Sequence, residues 1–366
     1  MNGIAAGTVT RLNTLAHPPH FALFASALSF SASQPAPVFG AAARLHHLSS
    51  TRAGLLAAIP AASSHQRAPL TSNIGSRPAK APPNPRRMAT TAEEQANLVE
   101  ASKRLAAFQA VKDHLLPEYT RIGIGSGSTV VYVVEAIAAL GPAATAGMSF
   151  YPTGAQSEQL IEAAALNLQY INKLPAGQQL DVAFDGADEV DEDLNLIKGG
   201  GACLWQEKIV AASAKKFVCV ADFRKLAQRL GTAWTKGIPI EVLPMAAPRV
   251  LDELLRMGSL NPRIRPGLPG KAGAIVTDNG MWIIDAPFAP LLLARDLESG
   301  TQSGSGAGGV WTVDALADRL IKVPGVAETG LFYGKNGLEV ASGAQKPVAA
   351  YFGMADGTVQ VKTPSV

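Results

Sequence analysis

Residues 185–207, which read DGADEVDEDLNLIKGGGACLWQE, decide how the rest of the chain is arranged. The apolar run 182–184 comes directly before them and predicts a buried strand that ends at Asp185. A run of carboxylates, one lysine and three glycines follow, and a helix is predicted over residues 202–214. Because ligands of open α/β sheets bind outside the carboxyl ends of the strands, we expect a binding site here.

The residues of this stretch leave two interpretations open. An acidic loop is usually solvated, and Gly199-Gly200-Gly201 can be a flexible turn that binds nothing. Alternatively, glycines ahead of a helix leave backbone N–H groups free for an oxyanion or a phosphate, and Lys198 adds a positive charge. The combination of carboxylates, ammonium and amide donors favours a ligand site.

A second glycine-rich loop lies upstream. Residues 121–129 read RIGIGSGST and predict a strand, a loop and the start of a helix capped by Ser128 or Thr129. The N–H and hydroxyl groups of this loop suit a phosphate or sugar hydroxyls. The third glycine of a dinucleotide fingerprint and the lysine of a Walker loop are both missing, which argues against nucleotide binding.

Strands and helices alternate along the middle of the chain. This order predicts an α/β fold with a Rossmann-like, mostly parallel sheet that is covered by helices. The proline-containing stretch 239–248 marks the beginning of a second, smaller α+β domain. The predicted domains are an α/β catalytic domain of residues 89–232 and 332–366 and a small α+β domain of residues 233–331.

Within the small domain, the pattern predicts a helix at residues 249–257. Strands are expected near 274–277 and 281–285, and Asp278-Asn279-Gly280 between them has the composition of a hairpin turn.

The N-terminal segment differs from the remainder in composition. Residues 1–92 contain no Asp or Glu but eight of the 32 Lys and Arg residues, so the other 24 face 29 acids and the remainder carries −5. Segment 1–88 is rich in Ala, Ser, Pro and Arg, which predicts a disordered transit peptide. The chloroplast stroma is the predicted location, and mitochondrial or cytosolic locations stay open. The acidic remainder argues against nucleic acid, and no apolar run is long enough to predict a membrane span.

Histidine and cysteine offer little chemistry after residue 88. His114 is the one histidine there, and we predict a structural role for it at the end of the first helix. Cys203 and Cys219 have neither a disulfide framework nor a zinc spacing, and burial is expected for Cys203. Asp191 and Asp193 are expected to be solvated. Lys198 opposes a divalent metal among the carboxylates, so no metal is predicted.

The motifs together resemble ribose-5-phosphate isomerase of type A. The resemblance rests on residues 125–129 (GSGST), 185–188 (DGAD), 198–201 (KGGG) and 207–208 (EK), and it extends over nearly all of residues 95–361. The ending of the chain is similar to eukaryotic members. The departures are Ser126, where many members have Thr, Met281, where a polar residue is common, and a longer segment at residues 286–311.

This resemblance implies interconversion of D-ribose 5-phosphate and D-ribulose 5-phosphate through an enediol, without metal or cofactor. It places the reaction in the pentose phosphate pathway and the Calvin cycle, and it implies a homodimer or homotetramer. Glu207 is implied as the general base, with Asp185, Asp188 and Lys198 as further catalytic residues. The residues implied for substrate binding are Ser126, Gly127, Ser128, Thr129, Gly186, Ala187, Gly199, Gly200, Gly201, Lys225 and Lys103.

The residue types suit this chemistry by themselves. A carboxylate can move a proton between C2 and C1, and an ammonium with amide donors can stabilise the oxygen, at ~3–4 kcal/mol for each oxyanion donor. Without the resemblance, Glu207 is equally suited to a surface ion pair with Lys208 or Arg224. Two other functions stay open: a sugar-phosphate-binding regulator without catalysis, and a sugar-phosphate deaminase, whose chemistry tends to rely on histidine.

Overall fold

A computed structural model describes residues 92–269, 271–298 and 300–364. The α-helices in these ranges are α1 (Ala92–His114), α2 (Val130–Ala138), α3 (Pro142–Thr145), α4 (Ala155–Ala163), α5 (Leu204–Ala212), α6 (Ala247–Arg256) and α7 (Val313–Leu320). The strands are β1 (Arg121–Ile124), β2 (Ser149–Pro152), β3 (Val182–Asp185), β4 (Glu189–Val190), β5 (Leu196–Ile197), β6 (Phe217–Asp222), β7 (Ile238–Val242), β8 (Arg263–Ile264), β9 (Trp282–Ala286), β10 (Val326–Thr329), β11 (Leu331–Phe332), β12 (Ala349–Gly353) and β13 (Val359–Lys362).

The central sheet has six strands in the order β13-β12-β6-β3-β1-β2. All neighbours in it are parallel except β12 and β13, which are antiparallel. Every residue of β3 and β6 is buried, as expected for parallel strands with both faces covered. Helices α1 and α2 pack on one face, and α5 packs on the other through Val210. The predicted α/β fold with a mostly parallel sheet is confirmed.

A smaller antiparallel sheet has the order β10-β7-β9-β8. Its core includes apolar side chains of β7, α6 and α7, such as Ile240, Leu254 and Leu316. A third sheet, β11-β5-β4, joins the two short strands of the acidic loop to the distant strand Leu331–Phe332. Strand β5 directly precedes Lys198, whose backbone N–H donates to the carbonyl of Gly330 at 2.8 Å. The backbone of Lys198 is therefore tied to the chain between β10 and β11. The predicted domain limits remain a prediction.

The small sheet corrects one prediction. Residues 274–277 do not form a strand; a single bridge joins Pro266 and Ala274, and β9 pairs with β7 and β8 instead. The turn at 278–280 does form, since the Thr277 N–H donates to the Met281 carbonyl at 2.9 Å. Turn composition predicted the reversal, but it did not determine which strand the chain would pair with afterwards.

The helix ends differ slightly from the predicted ones. Helix α5 runs from Leu204 to Ala212 rather than over 202–214, because Ala202 has a φ of 64° and cannot continue a right-handed helix. Thr129 is the N-cap of α2, but its side chain makes no capping hydrogen bond. The Ser128 hydroxyl accepts a hydrogen bond from Lys103 instead.

The predicted solvation of the acidic loop is wrong for Asp191. This side chain is fully buried and accepts hydrogen bonds from the backbone of Asp193 and from both the backbone and the amide of Asn195. Burial raises the pKa of Asp191 to about 6. Asp193 is half-buried and pairs with Arg295.

The predicted transit peptide, residues 1–88, lies outside the described residues. Within the described ranges, no helix combines the length and the apolar character needed to cross a lipid bilayer.

Candidate active site

Three loops meet at the carboxyl edge of the central sheet. They follow β1, β3 and β6, which are neighbours in space although they are far apart in sequence. The chain after β1 forms the glycine loop 125–129, β3 ends at Asp185 and continues into the acidic loop, and the chain after β6 includes Lys225. A parallel sheet brings these strand ends to one edge, where ligands of such folds bind.

A carboxylate–lysine cluster, formed by Asp185, Lys198 and Glu207, lies at this edge. The Lys198 Nζ is 2.9 Å from Asp185 Oδ2 and 3.4 Å from Glu207 Oε2, and it donates to the Gly186 carbonyl at 2.6 Å. All three side chains are buried. Asp185 Oδ2 and Glu207 Oε2 have no hydrogen-bond partner among the described residues, so the ammonium alone balances them.

Burial changes the protonation of this cluster. Loss of solvation raises the pKa of Glu207 to about 8; Lys198 opposes the shift, and Asp185 and Asp188 reinforce it. Loss of solvation likewise raises the pKa of Asp185, against the opposing effect of Lys198. For Lys198, burial opposes the charge, but the two carboxylates outweigh it and hold the pKa above its ordinary value. A carboxyl with a pKa near neutrality beside a permanent ammonium is suited to take up and return a proton.

The backbone around Asp185 explains why glycine is needed at residue 125. Asp185 Oδ1 accepts the N–H groups of Ser126 at 3.2 Å and Gly186 at 2.7 Å. A Cβ atom at Gly125 would lie 2.0 Å from this oxygen. The glycine loop after β1 can therefore approach the carboxylate only without a side chain at that position.

The loop 198–201 carries a second carboxylate contact. The Gly200 N–H donates to Asp188 Oδ2 at 2.6 Å, and a Cβ at Gly200 would lie within 2.6 Å of the same carboxylate. Gly199 has a φ of 99°, which favours glycine. These two glycines let the loop turn tightly in front of α5, which carries Glu207.

The other end of the cleft is polar and basic. The Lys103 Nζ donates to Ser128 Oγ at 2.9 Å and to Glu100 at 2.6 Å, and Lys103 is almost fully buried. The Gly127 N–H donates to Gln156 Oε1 at 2.7 Å. Ammonium, hydroxyl and backbone N–H groups at one place suit an anionic ligand group.

The structure brings almost all the predicted site residues to one cleft of about 240 Å³. Asp185 is the exception, because it lies behind Lys198 and does not line the cleft. The predicted residues that line it are Lys103, Ser126, Gly127, Ser128, Thr129, Gly186, Ala187, Asp188, Lys198, Gly199, Gly200, Gly201, Glu207 and Lys225.

Sequence reasoning did not assign Gln156, Asp222 or Arg224 to the cleft, yet all three line it. Arg224 donates to Asp222 through Nε at 2.7 Å and Nη2 at 3.0 Å. Asp222 ends β6, so its position at a strand end was an available signal. Gln156 had none, because it reaches the cleft from α4.

Three alternative interpretations of single residues can be compared with the structure. Glu207 pairs with Lys198, whereas Lys208 pairs with Glu328 at 2.9 Å and Arg224 with Asp222, so the surface ion pair is wrong. Cys203 is half-buried and lines the cleft, so the expected burial is only partial, and loss of solvation raises the pKa of its thiol to about 12.

His114 lies away from the cleft, with its Nε2 3.0 Å from the Tyr351 hydroxyl. Burial lowers the pKa of this histidine, so the imidazole packs as a neutral ring against the tyrosine.

An apolar cleft of about 220 Å³ lies elsewhere, beside Trp234 and Phe288. None of the residues that line it is titratable, unlike those of the cleft with the carboxylate–lysine cluster.

Fold and site together define an α/β enzyme. The chain belongs to the family ribose 5-phosphate isomerase A (phosphoriboisomerase A), whose sequence profile matches residues 149–346, and the resemblance inferred from the motifs is confirmed. A ribose-5-phosphate isomerase of Mycosarcoma maydis is 46% identical over 265 residues, which are 72% of this chain and 82% of that protein.

Solved structures agree with this assignment. Ribose 5-phosphate isomerase A from Methanocaldococcus jannaschii has a TM-score of 0.57 and 30% identity, and the match covers 72% of this chain and 99% of that one. A D-ribose-5-phosphate isomerase in complex with phospho-erythronic acid has a TM-score of 0.59 and 30% identity, with the same coverage of 72% and 99%.

Proposed function

We propose that this protein interconverts D-ribose 5-phosphate and D-ribulose 5-phosphate through an enediol intermediate. The observation that carries the proposal is the buried Glu207 carboxyl, 3.4 Å from the Lys198 ammonium, at one end of a cleft whose other end is basic. The cleft thus offers a proton acceptor, a positive charge for the developing oxyanion and a place for the phosphate.

Glu207 is the proposed general base. Its carboxylate removes the proton from C2 of the open-chain aldose and returns it at C1, while the proton of the O2 hydroxyl passes to O1. The C1 aldehyde thereby becomes a hydroxymethyl group and C2 becomes a ketone. Because burial raises its pKa to about 8, it is a stronger base than an exposed glutamate and still ionises near neutral pH.

Lys198 is proposed to stabilise the negative charge that develops on the substrate oxygen during enolisation. Asp185 holds the ammonium from behind at 2.9 Å and keeps it protonated. Donors that are already aligned with a developing oxyanion need no reorganisation, and removing one typically costs ~3–4 kcal/mol of the activation free energy.

Asp188 is proposed to move the protons that open the sugar ring. Its carboxylate is half-buried, lines the cleft and accepts the Gly200 N–H at 2.6 Å. Ring opening needs one group that accepts a proton at O1 and delivers one at O5.

The basic end of the cleft is proposed to bind the phosphate. Ser126, Gly127, Ser128 and Thr129 supply hydroxyl and N–H groups, and Lys103 and Lys225 supply charge. The remaining proposed substrate contacts come from the backbone of the two glycine-containing loops, at Gly186, Ala187, Gly199, Gly200 and Gly201.

The test is to incubate the protein with ribose 5-phosphate and to follow the formation of ketose. Turnover is expected without added metal or cofactor, and activity should persist after treatment with EDTA. Binding without ketose formation would favour the regulator, and release of ammonia from an amino-sugar phosphate would favour the deaminase. The presence of Glu207 in the cleft argues against the first, and the remote position of His114 argues against the second.

The pathway and the compartment complete the proposal. We infer that the protein acts in the pentose phosphate pathway and, in the chloroplast stroma, in the Calvin cycle, because residues 1–92 are basic and free of acids. The N-terminal sequence of the protein isolated from cells tests the removal of a transit peptide. A cytosolic or mitochondrial protein that keeps the segment would contradict this part.

We also propose assembly into a homodimer or homotetramer. Large apolar side chains lie exposed at Met245, Leu260 and Leu268, and burial in an interface would remove them from water. Light scattering of the purified protein measures the assembly, and a monomeric mass at micromolar concentration would contradict it.

A further inference from the structure

The glycine loop 199–201 is held from behind by an arginine of the small sheet. Arg265 follows β8, and its Nη1 donates to the carbonyl oxygens of Gly199 and Gly200, each at 3.0 Å. Its Nε and Nη2 donate to the two carboxylate oxygens of Asp285 at 2.9 and 2.5 Å. The guanidinium thus links β9 to the loop in front of the helix that carries Glu207.

The contacts fix the guanidinium in one orientation. The Asp285 side chain is almost fully buried and that of Arg265 is 13% exposed, so the pair is largely shielded from solvent. A bidentate arginine–carboxylate pair is planar and directional, which a lysine cannot reproduce. Nη1 is therefore aimed at the loop by the two bonds that the rest of the guanidinium makes to Asp285.

The direction of the two carbonyls determines the direction of two N–H groups. In a trans peptide the C=O of one residue and the N–H of the next point in opposite directions. Because the Gly199 carbonyl faces Arg265, the Gly200 N–H faces away from it and donates to Asp188 at 2.6 Å. Because the Gly200 carbonyl also faces Arg265, the Gly201 N–H points away from it, on the side where Gly201 lines the cleft.

The loop fixes only one of these two peptides by itself. The Gly199 carbonyl also accepts the Ala202 N–H at 3.0 Å, and the Gly200 N–H of the same peptide donates to Asp188. For the Gly200–Gly201 peptide, Arg265 is the one hydrogen-bond partner of the carbonyl among the described residues, and a Cβ built on Gly201 would meet no atom within 4 Å. Among the hydrogen bonds of the described residues, the Gly201 N–H makes none, so this donor is free for a ligand. Arg265 therefore supplies the contact that sets the direction of the Gly200–Gly201 peptide and of its N–H.

We propose that Arg265 is a positioning residue, which directs the Gly200 and Gly201 N–H groups towards Asp188 and the substrate oxygen. The inference rests on the proposed isomerase function. It assigns to the small sheet a part in transition-state stabilisation, although Arg265 does not touch the substrate itself.

The experiment measures kcat and KM for ribose 5-phosphate in Arg265→Ala, Arg265→Lys and the control Arg263→Ala. Arg263 lies two residues earlier, on β8, and is exposed, so the control removes the same charge from a neighbouring position that makes no hydrogen bond to the loop among the described residues. Losing one oxyanion donor typically lowers kcat by ~10²–10³-fold. Arg265 contacts the loop and not the substrate, so its loss should weaken an oxyanion donor rather than remove it. For Arg265→Ala, kcat should therefore fall about 10- to 100-fold, and KM should change by less than about 3-fold.

Two further readouts separate positioning from a loss of folding. Millimolar guanidinium chloride, far below denaturing concentrations, should restore part of kcat in Arg265→Ala and should not raise kcat in Arg263→Ala. Arg265→Lys retains the positive charge but not the planar guanidinium that bonds Asp285 and the loop together. This variant should keep a melting temperature near that of the wild type and still lose most of its kcat.

Unchanged kcat in Arg265→Lys, a loss that falls only on KM, or no rescue of folded Arg265→Ala would overturn the proposal. If the wild-type protein itself fails to form ketose, the proposed function fails, and that outcome is separate from the ranking of the Arg265 variants.

Discussion

Two buried glutamates of this chain, Glu189 and Glu207, differ in how their negative charge is stabilised. Glu189 is fully buried, and four consecutive backbone N–H groups and one hydroxyl donate to it. These donors belong to Gly231, Thr232, Ala233 and Trp234. Glu207 is buried to a similar extent, yet it faces mainly the ammonium of Lys198.

The difference shows that burial alone does not make a carboxylate reactive. Backbone donors fix Glu189 in one place, so the free energy of its hydrogen bonds stabilises the loop 231–234. Among the described residues, one oxygen of Glu207 has no hydrogen-bond partner. Its pKa is raised to about 8, so Glu207 can exchange a proton near neutral pH. The first type of site stabilises the fold, and the second is suited to catalysis.

The largest effect is expected from Glu207→Gln. The amide keeps the size of the side chain but cannot accept the C2 proton, so kcat should fall about 10³-fold or more. Binding of ribose 5-phosphate, measured by calorimetry, should change little. The control is Glu162→Gln, an exposed glutamate of α4, which should keep wild-type kcat. Near-normal turnover in Glu207→Gln would exclude it as the base.

Glu189→Gln should affect stability instead of chemistry. Its NH₂ group would face backbone N–H donors, so the free energy of unfolding in urea should fall by about 2–3 kcal/mol. The matched control is Glu192→Gln, whose exposed pair with Arg295 should be worth less than ~1 kcal/mol. A stable Glu189→Gln variant with strongly reduced kcat would contradict the distinction between the two groups.

The pH dependence of kcat/KM should follow Glu207. Its folded pKa of about 8 lies above the ordinary 4.5, so the base is protonated below pH 8 and kcat/KM should fall tenfold per pH unit there. The same shift means that the stabilising contribution of this group is present below pH 4.5 and is lost as pH rises towards 8. The substrate phosphate ionises near pH ~6, so its effect on kcat/KM is separated from that of Glu207. A decrease of kcat/KM that begins only near pH 4.5 would contradict the raised pKa of Glu207.

The smallest effect is expected at the basic end of the cleft. Lys103→Met removes an ammonium that contacts Ser128 but leaves the carboxylate–lysine cluster intact. KM should rise about 10-fold with kcat nearly unchanged, as for the loss of one charged hydrogen bond. Lys112→Met, an exposed lysine of the same helix, is the control. If kcat fell in Lys103→Met while KM stayed constant, the residue would act in chemistry rather than in phosphate binding.

Local sequence patterns predicted a large part of the fold and the site. Alternating strands and helices gave the parallel sheet, because each element depends on periodicity within a few residues. The glycine loops at 125–129 and 198–201 were found because tight turns and anion contacts require residues without side chains. These motifs identified the cleft, and the comparisons confirmed the family.

The same patterns failed where the decisive partner lies far away in the chain. Asp191 was expected in solvent, since an acidic run looks the same whether or not the protein covers it. No strand forms at residues 274–277, although the sequence predicted one. A strand needs a neighbour with free backbone groups, and β9 already pairs with β7 on one side and β8 on the other. Gln156 and Arg265 carried no motif at all.

The sequence by itself determined the kinds of residues at the site, the α/β order of the elements and the family. Only the tertiary structure decided which carboxylate meets backbone donors, as Glu189 does, and which meets an ammonium, as Glu207 does. The physical reason is that periodicity and turn chemistry act over a few residues, whereas solvation and ion pairing depend on groups brought together from distant parts of the chain.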